Sequence, residues 1–256
     1  MKITIIQPQT IWEDKLANFK KIDQIIANLS EVSDIVVLPE MFTTGFTLNA
    51  EMLAEEFNGK TLKWMSDLSE HKNFAVCGSY IIRSAGKFYN RLSFVTPDKE
   101  TFYYDKRHLF SLGGENEIFT SGKTRQVINY KGIRFLPIIC YDLRFPVWCR
   151  NRGDYDVMIC VASWPEVRRE AWNSLLKARA IENQCYVVGV NRTGTDNLGL
   201  NHAGDSVVLD FMGKTIGKVD AYNEGSATVD LSMSELKNFR EKFPVWKDSD
   251  NFIINT

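Results

Sequence analysis

The chain has no C-x-x-C pair, and its five cysteines, Cys77, Cys140, Cys149, Cys160 and Cys185, are odd in number. That pattern speaks against a disulfide framework and against a zinc site, and it predicts free thiols in a reducing compartment. Only three histidines occur, His71, His108 and His202, at spacings that suit no metal. Charge of one sign is not in surplus: the formal net charge is −1, whereas a polyanion binder needs excess Lys and Arg. The basic clusters Lys106-Arg107-His108 and Arg168-Arg169 are too short for a nucleic-acid stripe. No run approaches the roughly 18 uninterrupted apolar residues of a membrane span. The opening "MKITIIQPQT" lacks the apolar segment and small-residue cleavage site of a signal peptide. These absences predict a cytoplasmic protein with neither nucleic acid nor membrane as partner. "GTDNLGLNHAG" and "SLGGEN" are turn-rich but lack the strand–loop–helix spacing of a phosphate cradle, and there is no G-x-S-x-G elbow.

What is present is ordinary for a folded protein, with 44% hydrophobic and 25% charged residues. Short runs rich in Val, Ile, Phe and Tyr recur, each closed by Pro, Gly, Asn or Asp: "KITIIQ", "DIVVLP", "NFAVCGSYII", "YNRLSFVTP", "ETFYYDK", "RQVINY", "IRFLPIIC", "DVMICVAS", "CYVVGVN", "DSVVLDFMG" and "SATVDL". They read as strands. Helical spacing appears between them. Glu13 to Leu29 sets Leu16, Phe19, Ile22, Ile25, Ile26 and Leu29 on one face, and Leu62, Met65 and Leu68 form a second stripe. Trp172, Leu175, Leu176, Ala180 and Ile181 form a third. A last helix begins at Ser232 or Ser234, whose hydroxyl can cap it. Strands alternating with helices predict a layered α/β protein. The helix-free stretch from about Asn73 to Tyr104 predicts antiparallel strands and hence a mixed sheet. No linker or compositional break divides the chain, so one domain over 1–256 is expected.

Three reactive residues each follow a strand-like run: Glu40 in "DIVVLPEMF", Lys106 in "TFYYDKRHLF" and Cys140 in "FLPIICYDLRFP". Singly, each has a plain structural role. A cysteine after apolar residues is usually core, as Cys160 in "DVMICVAS" would be. An acid after a strand and proline commonly opens a helix, and a lysine is usually solvated. Ligands of α/β sheets collect beyond the carboxyl ends of strands, so three such residues could share one pocket.

Taken together, "LPEMFTTGF", "YDKRHLF", "CYDLRFP", "VASWP", "RAIENQCYVVGVNR" and "HAGDSVV" resemble, in order and over nearly the whole chain, the nitrilase superfamily of carbon-nitrogen hydrolases. "KRHLF", "CYDLRFPVWCRN" and the closing "REKFPVWKD" look most like bacterial omega-amidases. The resemblance implies a four-layer αββα sandwich with two mixed sheets and a Glu-Lys-Cys catalytic set of Glu40, Lys106 and Cys140. It also implies a second glutamate, Glu115, orienting Lys106 and the substrate, and a homodimer. The substrate would be the terminal amide of a small dicarboxylic monoamide, such as 2-oxoglutaramate or 2-oxosuccinamate, cleaved through a cysteine thioester. A nitrilase or an N-carbamoyl amine hydrolase would use the same three residues.

The chemistry agrees with the residue types. Cysteine is a strong nucleophile in its thiolate form, and Lys106 nearby is expected to lower the thiol pKa. Glu40 would take the thiol proton, pass it to departing ammonia and then activate water, the second substrate, so no cofactor and no metal are called for. Lys106 and the backbone N–H of Tyr141 would hold the oxyanion. Asp142 and Arg144 read first as structural, paired with each other or with helix-end groups, with Arg144 as anchor for a substrate carboxylate the second reading. Among the flanking aromatics Phe42, Phe110, Tyr141, Phe145 and Trp164, some wall the pocket; Phe42 and Trp164, with Arg144, are the residues expected to contact substrate. His108 reads as hydrogen-bonded scaffold. Two other readings are a non-catalytic binding scaffold and a cysteine hydrolase using His108 or His202 as base.

Overall fold

Apolar residues alternate along the first strands and divide them between two faces. In the computed structural model, which describes residues 1–254, β1 (Lys2–Gln7) turns Ile3 and Ile5 into one core and Ile6 into another. β2 (Ile35–Val37) does the same, with Ile35 and Val37 opposite Val36. A period of two requires this division. β3 (Ala75–Ser84) runs parallel to β2, and β4 (Lys87–Val95) and β5 (Thr101–Asp105) continue antiparallel. The expected antiparallel middle is therefore present.

The second sheet contains β6 (Ile128–Tyr130), β7 (Ile133–Ile139), β8 (Val157–Ala162) and β9 (Tyr186–Asn191), of which β7, β8 and β9 are parallel. Every residue of β8 is buried, which suits a central parallel strand covered on both faces. A small hairpin, β10 (Thr193–Thr195) with β11 (Asn201–Ala203), precedes β12 (Val207–Leu209) and β13 (Thr215–Lys218); β14 (Gly225–Asp230) then returns to pair with β1. The two six-stranded sheets run β14-β1-β2-β3-β4-β5 and β13-β12-β9-β8-β7-β6. Their facing sides share one core, in which Ile3, Ile5, Cys77 and Phe94 of the first meet Phe135, Ile139, Ile159 and Val161 of the second.

Helices form the outer layers. On the first sheet, Phe19, Ile22 and Ile26 of α1 (Lys15–Ala27) pack with Leu62 and Met65, which lie beyond the one-turn α2 (Ala50–Leu53), in α3 (Lys60–Lys72). Asp14 caps α1 by accepting from Ala17 N. The single turns α4 (Glu115–Ile118) and α5 (Pro146–Cys149) belong to loops at the strand ends. On the second sheet lie α6 (Arg169–Asn183) and α7 (Met233–Lys242), the latter capped by Ser232 as expected. Gly189 lets α6 sit close: a Cβ there would lie 2.5 Å from Leu176 Cδ1. Two residues depart from the expected stripes. Leu16 is 69% exposed and Ile181 49% exposed, each at the margin of its stripe, where a folded surface tolerates single apolar side chains.

The result is an αββα sandwich of two mixed sheets, as expected. β2 and β5 of one sheet and β7 of the other all end at the same edge, and the loops leaving them meet there.

Candidate active site

Glu40 lies three residues past β2. Its loop is held from both sheets: Leu38 N donates to Cys77 O at 2.7 Å, and Glu40 N donates to Ala162 O at the end of β8. Gly78 makes room for this loop, since a Cβ there would come within 2.9 Å of both Leu38 and Phe42. Met41 adopts φ +43° and its N–H donates to Ser79 Oγ at 3.0 Å. A non-glycine residue in that region is strained by about 1–3 kcal/mol and persists where its surroundings fix it.

The Glu40 carboxylate is fully engaged and almost wholly buried. Oε1 accepts from Lys106 Nζ at 2.7 Å and from Asn90 Nδ2 at 2.8 Å, and Oε2 accepts from Ser163 N at 2.9 Å. Lys106, one residue past β5, also donates to both oxygens of Glu115, at 3.0 and 2.9 Å. Glu115 opens α4, and its Oε2 accepts from Phe110 N at 2.6 Å. The three side chains thus form a buried Glu–Lys–Glu cluster. Burial works against the Lys106 charge, but Glu115 and Glu40 outweigh it and hold the ammonium above the ordinary lysine range. Burial likewise pushes the Glu115 carboxyl up, with Lys106 opposing. Removing one partner of such a cluster strands a buried charge and costs about 3–5 kcal/mol.

Cys140 is the first residue after β7. Its backbone takes φ +47° and begins a 3-10 turn, Cys140–Arg144. Asp142, fully buried, fixes that turn. One oxygen accepts from Tyr104 OH at 2.7 Å and Ile139 N at 3.0 Å; the other accepts from His108 N and pairs with His108 Nδ1, both at 2.8 Å. The network ties the loop after β5 to the loop after β7, so Asp142 brings the lysine segment to the cysteine segment. Asp142 is structural as expected and bonds the helix-end N–H of Ile139, but its ionic partner is His108 rather than Arg144. His108 stacks on Phe145 with centroids 3.7 Å apart, and its scaffold role is as expected.

Cys140 and Lys106 share a cavity of about 320 Å³, walled in part by Phe46, Phe110, Tyr141, Arg144, Trp164 and His202. Tyr141 is the second residue of the turn, a position whose N–H has no partner within the helix, so this donor is free for an oxyanion. Lys106 Nζ lies 5.5 Å from the Phe46 ring centre. The Cys140 residue is partly exposed while its thiol is enclosed. Burial and the Glu40 carboxylate push that thiol well above its ordinary pKa, and Lys106 pulls it back only partly. Lys106 thus acts on the thiol in the expected direction, but the expected net depression is corrected, because burial and the carboxylate outweigh it. His202 also reaches the cavity, but burial and the nearby Arg192 charge push its pKa down to about 4, too weak a base for a thiol.

Phe42, expected to touch substrate, instead lies fully buried under α1 and α3, packed against Phe19 and Trp64. Its proximity to Glu40 in sequence misleads because the strained Met41 intervenes. Arg144 and Trp164 do reach the cavity, the guanidinium 4.8 Å over the indole. Sequence reasoning missed Asn90, which bonds both glutamates, and Phe46, Leu198 and Leu200 on the cavity wall. The inward side of β4 was the only signal for Asn90, and the hairpin that carries Leu198 and Leu200 has no apolar alternation.

A cysteine at a strained strand end, facing a buried acid–ammonium–acid cluster between two sheets, marks a hydrolase scaffold. The family model for carbon-nitrogen hydrolases matches residues 2–241, and the chain belongs to that family. It is 40% identical to the omega-amidase YafV of Yersinia enterocolitica over 99% of this chain and 98% of that protein. It is 34% identical to the 2-oxoglutaramate amidase of Bacillus subtilis, with 90% of each covered. Among solved structures, XC1258 from Xanthomonas campestris, a CN-hydrolase superfamily protein with an arsenic adduct in its active site, superposes with a TM-score of 0.97 at 40% identity. That match covers 100% of this chain and 99% of the other.

Proposed function

We propose that the protein is an omega-amidase: it hydrolyses the terminal amide of a small dicarboxylic monoamide, of the 2-oxoglutaramate or 2-oxosuccinamate type, to ammonia and a 2-oxo acid. The observation that carries the reading is the convergence of three strand ends, with Lys106 Nζ 2.7 Å from Glu40 and Cys140 on the same cavity as Lys106. The names of the two amidase relatives support the substrate class.

In this reading the thiol is protonated at rest. As Sγ attacks the amide carbon, Glu40 takes its proton. The carbonyl oxygen becomes an oxyanion held by Lys106 and the Tyr141 N–H; loss of one such donor costs about 10²–10³ in rate. Glu40 returns the proton to nitrogen, the C–N bond breaks, and ammonia leaves a thioester on Cys140. Water then enters, Glu40 draws its proton, and the resulting hydroxide adds to the thioester carbonyl. On collapse Glu40 returns that proton to the departing sulfur, which releases the acid and restores the thiol. Glu115 holds Lys106 in place through both of its carboxylate oxygens. The proposal extends to a homodimer, which light scattering would read.

Ammonia release from a panel tests the function: 2-oxoglutaramate, 2-oxosuccinamate, glutamine, asparagine, a carbamoyl amine and a simple nitrile. The two 2-oxo monoamides are expected to show the highest kcat/KM. Activity confined to the nitrile or to the carbamoyl amine would overturn the assignment.

A further inference from the structure

The two arginines on the cavity wall are held in a way that calls for an anion. Arg144 lies over Trp164 at 4.8 Å, and Arg168 lies over Phe110 with its Cζ 5.2 Å from the ring centre. Both are partly exposed and line the same cavity as Cys140. Among the described residues neither guanidinium meets a carboxylate or a carbonyl, whereas Arg91, Arg125, Arg134, Arg169, Arg179 and Arg240 each hold an acid. The acid on this wall, Asp196, is occupied elsewhere: its Oδ1 accepts from Leu198 N and Leu200 N, both at 2.9 Å, within the β10–β11 turn.

Trp164 joins the two arginines mechanically. Its Nε1–H donates to Arg168 O at 2.9 Å, its backbone N–H donates to Asn191 Oδ1 at 2.8 Å, and its ring packs on Trp172. The plate under Arg144 is therefore bolted to the backbone of Arg168. Stacking fixes a guanidinium plane while leaving its forked N–H edge free, the arrangement that suits bidentate capture of a carboxylate.

We propose that Arg144 and Arg168 form a two-arginine carboxylate clamp, with Trp164 as its shared support, and that this clamp selects amides whose far end carries a carboxylate. Arg144 sits four residues beyond the nucleophile in the same 3-10 turn, so the clamp and the reacting sulfur are positioned by one short element. The proposal rests on the omega-amidase reading for its substrate and deepens it by assigning the residues that read the second acid group.

The test pairs direct binding with turnover. Titration calorimetry with 2-oxoglutarate as probe is carried out on the wild-type protein and on Arg144→Met and Arg168→Met. Ammonia release is then compared between 2-oxoglutaramate and a neutral amide of similar length. Each substitution is expected to weaken 2-oxoglutarate binding about 10–100-fold, the range of a hydrogen bond to a charged group. The preference for the charged amide over the neutral one should fall by a similar factor, through KM rather than kcat. Arg144→Lys and Arg168→Lys, which keep the charge but lose the fork, should lie between; they replace the Met variants if those lack a cooperative melting transition. No binding by the wild type, or equal binding by wild type and variants, overturns the clamp. Arginine-dependent binding without hydrolysis of 2-oxoglutaramate leaves the clamp standing and overturns the omega-amidase reading. Hydrolysis with an unchanged preference in the variants does the reverse.

Discussion

Cys140 follows β7 directly and Cys160 lies in the neighbouring parallel strand β8, paired with Ile138 two residues before Cys140. Burial pushes both thiols well above the ordinary cysteine pKa, so acidity does not distinguish them. Position does. Cys160 is enclosed within β8, beside Gly189 on the face of the sheet that α6 covers. Cys140 stands one residue past β7, at φ +47°, on a cavity it shares with Lys106 and under the influence of the Glu40 carboxylate. In the proposed mechanism the thiol is readied for attack without being ionised, because a base and a cation stand beside it and the chain turns to present it.

The widest gap between the two cysteines should appear in turnover. Cys140→Ala is expected to lower kcat at least ~10⁴-fold, as loss of a nucleophile does. Cys160→Ala should keep its ammonia release and lose about 1 kcal/mol in urea unfolding, the cost of a small buried void. Comparable turnover losses in the two variants would break the comparison.

A smaller effect sharpens it by testing the rival base. His202 has a folded pKa of about 4 against 6.5 for the unfolded chain, so between those values the unfolded state binds more protons and stability rises with pH. The contribution is full above 6.5 and is lost on acidification towards 4, on the order of 3 kcal/mol. In His202→Gln the slope of unfolding free energy between pH 6.5 and 4 should flatten, read by urea denaturation across that range. An unchanged slope would mean that His202 is not held neutral.

Much of this arrangement was legible in the residues, and the remainder was hidden for physical reasons. Strand-forming runs, the antiparallel middle and the Ser232 cap are local and follow from propensity and period. Glu40, Lys106 and Cys140 could be singled out because each breaks an apolar run with a reactive group. Strands β10, β11 and β13 escaped, since "TGT", "NHA" and "TIGK" carry little apolar alternation. Asn90, which bonds both glutamates, and the pairing of Asp142 with His108 depend on contacts between segments far apart in sequence. The net thiol pKa is hidden for the same reason: its sign depends on enclosure by the fold and on Glu40, 100 residues away.

In the proposed mechanism the Cys140 thiol rests protonated, because burial and the Glu40 charge together oppose its ionisation. Iodoacetamide alkylation of Cys140, followed by mass spectrometry as a function of pH, tests it in the wild type and in Glu40→Gln. In the wild type the rate should climb through pH 9 without levelling. In Glu40→Gln, where Lys106 remains and the opposing carboxylate is gone, the midpoint should move to lower pH while amide turnover falls by about 10²–10⁴. A wild-type rate already flat near pH 7, or a midpoint that Glu40→Gln leaves in place or raises, would contradict the account.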